Sequence, residues 1–152
     1  MSTTGPVLIA YDGSGPSEAA IDEVARLMPG AHAVLLYARE PLETVAAHLQ
    51  GHPALEQVRQ IDATTGDASE ALAERGAARA RTAGLKATAQ VATIATAVAS
   101  EAIVTAANAL DASLIVLGSR GRHGVGSVLL GSTSTAVLHH ANRPTLVVPA
   151  QR

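Results

Sequence analysis

The sequence predicts an α/β fold in which a parallel sheet carries helices on both faces. Three observations lead there. Short apolar, β-rich runs alternate along the chain with segments of helical period, the pattern of successive strand–helix–strand units. Several runs, residues 7–11 and 114–117 among them, are apolar without interruption, which suits strands covered on both sides and joined by right-handed crossovers. Hydrophobic residues make up 47% of the chain, yet there is no Phe or Trp and only Tyr11 and Tyr37. Ala, Val, Leu and Ile must therefore fill the core, and small side chains let helices lie close to the sheet.

Residues 7–11 form the first strand. Asp12-Gly13-Ser14-Gly15-Pro16 then reads as a tight turn into a helix, with Pro16 in the first helical turn, where its missing N–H is not needed. Ala20, Ile21, Val24, Ala25 and Met28 share one helical face, and Pro29-Gly30 stops that helix. Residues 33–38 are the second strand. Residues 39–66 are broken by Gly51, Pro53 and Gly66 and are expected to form a partly helical excursion. Asp67 and Glu70 have the spacing of a helix cap and its reciprocal partner, which places the next helix at 68–83, with Gly84 ending it. Residues 86–91 alternate as a third strand. Residues 101–110 form a helix with Ile103, Val104, Ala107 and Leu110 inward, ahead of the fourth strand at 114–117. The last helix covers 132–141, Asn142-Arg143-Pro144 turns the chain, and residues 146–148 form the final strand.

The 152 residues suit one domain, residues 1–152, able to bury about 68–70% of its unfolded surface. A net charge of -2 gives no electrostatic case for nucleic acid, and no cysteine is present for disulfides or thiolate catalysis. Residues 1–6 lack a basic and apolar export signal, and no run approaches the roughly 20 apolar residues of a membrane span, so the expected location is cytoplasmic.

The chemistry concentrates after the fourth strand. Gly118-Ser119-Arg120-Gly121, nine residues, then Gly131-Ser132 lie between a strand and a helix. Glycines let backbone N–H groups approach a polyphosphate, and the helix that follows turns its positive end toward it. Gly118, Gly121, Gly131 and Ser132 are the candidate phosphate cradle; Ser132 could alternatively cap the helix. Thr133 and Ser134 add hydroxyls, and Arg120 could offset phosphate charge. Two other nucleotide loops are excluded. A P-loop needs Lys directly after its last glycine, whereas Lys86, the sole lysine, follows Leu85, and Gly13-Ser14-Gly15 has Glu18 where a dinucleotide fingerprint needs its third glycine. Asp12, after the first strand, either holds a metal or ribose or simply forms an Asp-Gly turn. His139 and His140 are adjacent on a helix and point apart, against a shared metal.

The Gly-x2-Gly-x9-Gly-Ser spacing, together with Val7-Leu8-Ile9-Ala10-Tyr11-Asp12-Gly13-Ser14 and Arg143-Pro144-Thr145-Leu146-Val147-Val148-Pro149, resembles the universal stress protein family. The resemblance implies a five-stranded Rossmann-like sheet in the order 3-2-1-4-5. It implies an adenine nucleotide, ATP foremost and with Mg held near Asp12, in the crevice between the first and fourth strands, where such sheets bind ligands. It also implies that the backbone at Ala38 meets adenine, and that the last strand, Thr145 to Pro149, pairs two copies into a homodimer. The chain departs from the family at Thr96-Ala97-Val98-Ala99-Ser100, where members often have a glycine and a proline. The expected role is nucleotide-dependent regulation in a stress response. The alternatives are a slow ATP hydrolase or nucleotidyl transferase using Asp12 and a divalent metal, and a nucleotide-free dimeric interaction module. No lysine clamp or evident base supports efficient phosphoryl transfer.

Overall fold

The computed structural model describes residues 4–39, 50–93, 98–119 and 130–149. Strands and helices alternate as β1 (Val7–Ala10), α1 (Gly15–Leu27), β2 (His32–Arg39), α2 (Leu55–Thr82), β3 (Lys86–Thr93), α3 (Ala99–Ala109), β4 (Leu114–Gly118), α4 (Ser132–His140) and β5 (Thr145–Val148). The strands form one sheet in the order β3-β2-β1-β4-β5, with every neighbouring pair parallel. The alternating apolar runs imply the parallel layered sheet, and the resemblance stated above implies this strand order.

Strand alternation divides the apolar side chains between two layers. Val7, Ile9, Tyr11, Ala33, Leu35 and Val116 face α1 and α2, meeting Ala20, Ile21, Val24, Ala77 and Ala80. Leu8, Val34, Leu36, Ile115 and Leu117 face the other way and meet Ile103, Ala106 and Ala107 of α3 and Val137 of α4. Because both faces are packed, consecutive residues of β1 and β4 are all apolar, whereas a sheet with one wet face would alternate. Leu8, Ile9, Leu35, Leu36 and Ile115 are fully buried, and each contributes about 1.5–3 kcal/mol of transfer free energy. At the amino-terminal ends of the strands, Arg143 ties the α4–β5 turn to the end of α3 and the turn before β4 by donating to Asn108 Oδ1 at 3.1 Å, Asp111 Oδ1 at 2.9 Å and the Ala112 carbonyl at 2.8 Å.

One helix boundary differs from expectation. Asp67 does not start a helix: α2 begins at Leu55 and runs for 28 residues, straight through Gly66. A glycine inside a helix costs about 1 kcal/mol relative to alanine, which the C-terminal half offsets by burying Ser69, Ala73, Ala77 and Ala80. Asp67 and Glu70 are exposed residues on a continuing helix. The N-terminal half is polar, and Thr64 and Thr65 return their hydroxyls to the carbonyls four residues back. At 1.5 Å per residue α2 is about 42 Å long, against about 26 Å for an eight-residue strand. Since its last turns lie on the sheet before β3, its first turns rise past the carboxyl ends of the strands.

Candidate functional site

Strand register brings the separate candidates to one level. Ala10 pairs with Leu36 and Ile9 with Val116. Tyr11 N–H continues the ladder beyond β1 by donating to the Leu36 carbonyl at 2.9 Å. Carrying the two registers forward sets Asp12 level with Ala38 on one side and with Ser119 on the other. That is the carboxyl edge of the sheet at the point where strand order reverses, β2 and β4 leaving β1 in opposite directions, and it opens a crevice between the chains.

The β1–α1 turn is built by short side chains. Gly13 has φ +80°, a conformation that glycine adopts without a Cβ clash. Ser14 donates both its backbone N–H, at 3.0 Å, and its hydroxyl to Asp12 Oδ1. The same Ser14 hydroxyl caps α1 by accepting from Ser17 N–H at 3.3 Å, and the Ser17 hydroxyl returns to the Ser14 carbonyl at 2.9 Å. Asp12 is therefore a turn former whose carboxylate is held in place at the crevice; the geometry leaves a ligand role compatible with the turn role.

Across the crevice, β4 ends at Gly118 against the start of α1. A Cβ on Gly118 would lie 2.9 Å from Pro16 Cβ, from its carbonyl carbon and from its carbonyl oxygen, so the glycine is required by backbone packing as well as available to a ligand. Ser119 N–H donates to the Val148 carbonyl at 2.8 Å, and the Ser119 carbonyl accepts from Gly131 N–H at 2.7 Å. The two bonds pin both ends of the glycine loop to the sheet. Arg120 and Gly121 lie outside the described residues.

Gly131, not Ser132, is the N-cap of α4, and among the described residues no side chain caps this helix. Ser132 is exposed and Thr133 half-buried. The first intrahelical bond runs from Thr135 N–H to the Gly131 carbonyl at 3.0 Å, so helix geometry leaves the N–H groups of the preceding turn facing outward. Ser134 is buried and donates its hydroxyl to the Gly118 carbonyl at 2.8 Å; its proton holds α4 to the end of β4 rather than pointing to the crevice. The site thus offers one held carboxylate, the backbone at Ala38, and a helix N-terminus behind a pinned loop. That set can bind an anion and a polar ring.

Three contributors were not evident from the motif. Ser119 was legible only as a spacer between glycines, yet its peptide closes the loop. In the sequence Pro16 reads as a helix starter, yet it also sets the close approach to Gly118. Tyr11, one residue before Asp12, is 2% exposed, with its ring against Gly76 of α2: a Cβ there would come within 2.7 Å of Tyr11 Cδ1. Its hydroxyl reaches Glu18 Oε1 at 3.4 Å, and the phenol beside Arg75 raises the pKa of that guanidinium. Glu18 and Asp22 of α1 in turn face Arg79 of α2. Among the described residues no group of three or more His, Asp or Glu is arranged to hold a metal, and no helix is long and apolar enough to cross a membrane.

The model of the Universal stress protein family matches residues 3–149. The chain is 34% identical, over 93% of its length and 96% of the other's, to a universal stress protein of Thermus aquaticus described as lying in the 3′ region of QAH/OAS sulfhydrylase. Among solved structures, a universal stress protein in complex with cAMP superposes with TM-score 0.64 at 20% identity, covering 99% of this chain and 100% of that one. The universal stress protein of Archaeoglobus fulgidus in complex with dAMP gives TM-score 0.60 at 20% identity, covering 97% and 98%. These two likenesses establish the fold.

Proposed function

Because the chain belongs to the universal stress protein family, we propose that it binds an adenine nucleotide, ATP foremost, in the crevice between β1 and β4. Bound nucleotide biases a conformation or a partner contact in a stress response. The observation that carries this reading is the common level of Asp12, Ala38 and Ser119, with the N-terminus of α4 held behind them by the Gly131–Ser119 bond. Support comes from similar proteins with bound cAMP and dAMP. In this reading Gly118, Arg120, Gly121 and Gly131 surround the phosphates, Ser132 and Thr133 add donors, and Ala38 presents backbone to adenine. Ser134 acts behind them by holding α4. The protein works as one domain over residues 1–152 in the cytoplasm. Mass spectrometry of ligand released from purified protein tests the class directly: adenine nucleotide is expected, and its absence together with no ATP binding in calorimetric titration would leave the nucleotide-free interaction module.

Mg bridging Asp12 and phosphate has its own test. The amide oxygen of Asp12→Asn can still accept both bonds from Ser14, so the turn survives while the charge is lost. ATP affinity should fall more with Mg present than without it, and ATP turnover by the parent protein should remain far below the typical enzyme value of about 10 per second. Turnover near that value, abolished by the substitution, would make the hydrolase reading correct.

We also propose a homodimer through β5. The Pro144 and Val148 carbonyls accept from Ile115 and Ser119 of the β4 segment, so the backbone groups of Thr145 and Val147, of opposite parity, point away from the sheet. An apolar edge with free backbone groups invites a second strand, and a two-fold axis satisfies both copies alike. Light scattering at micromolar concentration is expected to give twice the chain mass; a monomer with and without ATP would overturn the pairing.

A further inference from the structure

The sheet has a second edge, β3, which is longer than β5 and is treated differently. Lys86 N–H donates to the Ala31 carbonyl at 2.9 Å, in line with β2. Strand alternation then turns the N–H and C=O groups of Ala87, Ala89 and Val91 toward the open side. Eight residues of edge, with Ala87, Ala89 and Val91 at these outward backbone positions, form a template for strand addition. Its first outward carbonyl is covered, however. Arg81, near the end of α2, reaches over the edge and donates from Nε to the Ala87 carbonyl at 2.9 Å. The guanidinium is clamped from the other side by Glu74, Nη1 to Oε1 at 2.7 Å and Nη2 to Oε2 at 3.3 Å. No such side chain covers the outward groups of β5 among the described residues.

An exposed ion pair contributes little to stability, and both side chains here are about half exposed. The arrangement is better explained by what it prevents. Using all its nitrogens, Arg81 places a charge and a bulky plane where an incoming strand would set its N–H against Ala87. We propose that the Arg81–Glu74 fork guards the β3 edge against a second copy of this chain, so that edge pairing is confined to the opposite side of the sheet. With both edges open, pairing would not close, and copies would join end to end.

Arg81→Ala tests this in the full chain, with circular dichroism reporting that the fold is kept. The expected result is a concentration-dependent rise in mass by light scattering, at least about a doubling over the parent protein. Amide exchange at Ala89 and Val91 should slow by about tenfold or more as those N–H groups become paired. An unchanged mass would overturn the proposal, and so would a raised mass with exchange at Ala89 and Val91 as fast as in the parent, since association would then use another surface. Should Arg81→Ala not fold, Glu74→Ala, which frees the guanidinium without touching the sheet, is expected to shift mass and exchange in the same direction by a smaller factor. No shift in either measure would likewise overturn it.

Discussion

Tyr11→Ala is expected to destabilise the protein by about 3–5 kcal/mol, the range for removing a large buried aromatic side chain. Tyr11 is 2% exposed and belongs to the layer between the sheet, α1 and α2, so its loss opens a cavity that neither helix can close without moving. Burial, not the hydroxyl, sets the size of the effect. At 3.4 Å the bond to Glu18 is long, and Tyr11→Phe should cost less than about 1 kcal/mol. The partner position gives a sharper test. In the parent, Gly76→Ala drives a Cβ into the ring, with Cδ1, Cε1 and Cγ all within 2.9 Å, and overpacking of about 1–3 kcal/mol outweighs the helix-propensity gain of about 1 kcal/mol. In the Tyr11→Ala background the obstacle is gone, and Gly76→Ala should become stabilising by about 1 kcal/mol. Denaturant unfolding of the four proteins measures this cycle. Additive effects would show that ring and glycine do not depend on each other.

Gly131→Val is expected to lower ATP affinity by more than about tenfold, equivalent to at least 1.4 kcal/mol, while the protein stays folded. Gly131 has φ -63° and ψ 160°, extended backbone open to any residue, and valine keeps the N–H that bonds Ser119. The new methyls would stand at the proposed phosphate site before the first turn of α4. Ser132→Ala separates ligand from scaffold. Because Ser132 is not the cap, the melting temperature without nucleotide should hold, and ATP affinity should fall by up to about tenfold if the hydroxyl meets phosphate. Calorimetric titration with melting of the nucleotide-free variants decides between outcomes. Unchanged affinity in folded Gly131→Val would remove the glycine motif from the binding site.

The strands and the layered fold were legible because burial on both faces writes itself as uninterrupted apolar runs, as in Val7-Leu8-Ile9 and Leu114-Ile115-Val116-Leu117. Turns were legible where backbone chemistry demands particular residues, as at Gly13, where φ is positive, and Pro16, in the first helical turn. The start of α2 was not. Its N-terminal half carries only a weak helical pattern interrupted by Gly66, and an Asp67–Glu70 pair resembling a cap falls inside the helix, so local signals favoured a break that packing further along the helix overrides. Side-chain partnerships across long sequence separations were also silent. Nothing in Gly76 points to Tyr11, nor does anything in Arg81 point to an edge carbonyl. In the site, glycine spacing supplied the cradle positions, resemblance supplied Ala38, and the register aligned Asp12, Ala38 and Ser119, whereas Ser134 could be assigned to Gly118 only from the folded chain.

With no Trp and no Phe, Tyr11 and Tyr37 provide the molecule's entire aromatic near-ultraviolet signal. One immediately precedes Asp12 just beyond β1 and the other immediately precedes Ala38 on β2, Tyr11 wholly enclosed and Tyr37 half-buried. The fold therefore places an unlabelled optical probe one residue before each of two candidate ligand positions. Tyrosine emission and near-ultraviolet dichroism will report on the segments that lead into Asp12 and Ala38 rather than on the protein at large, so local rearrangement there can be followed in the native chain, with a single-phenylalanine replacement at either position assigning the signal to its segment.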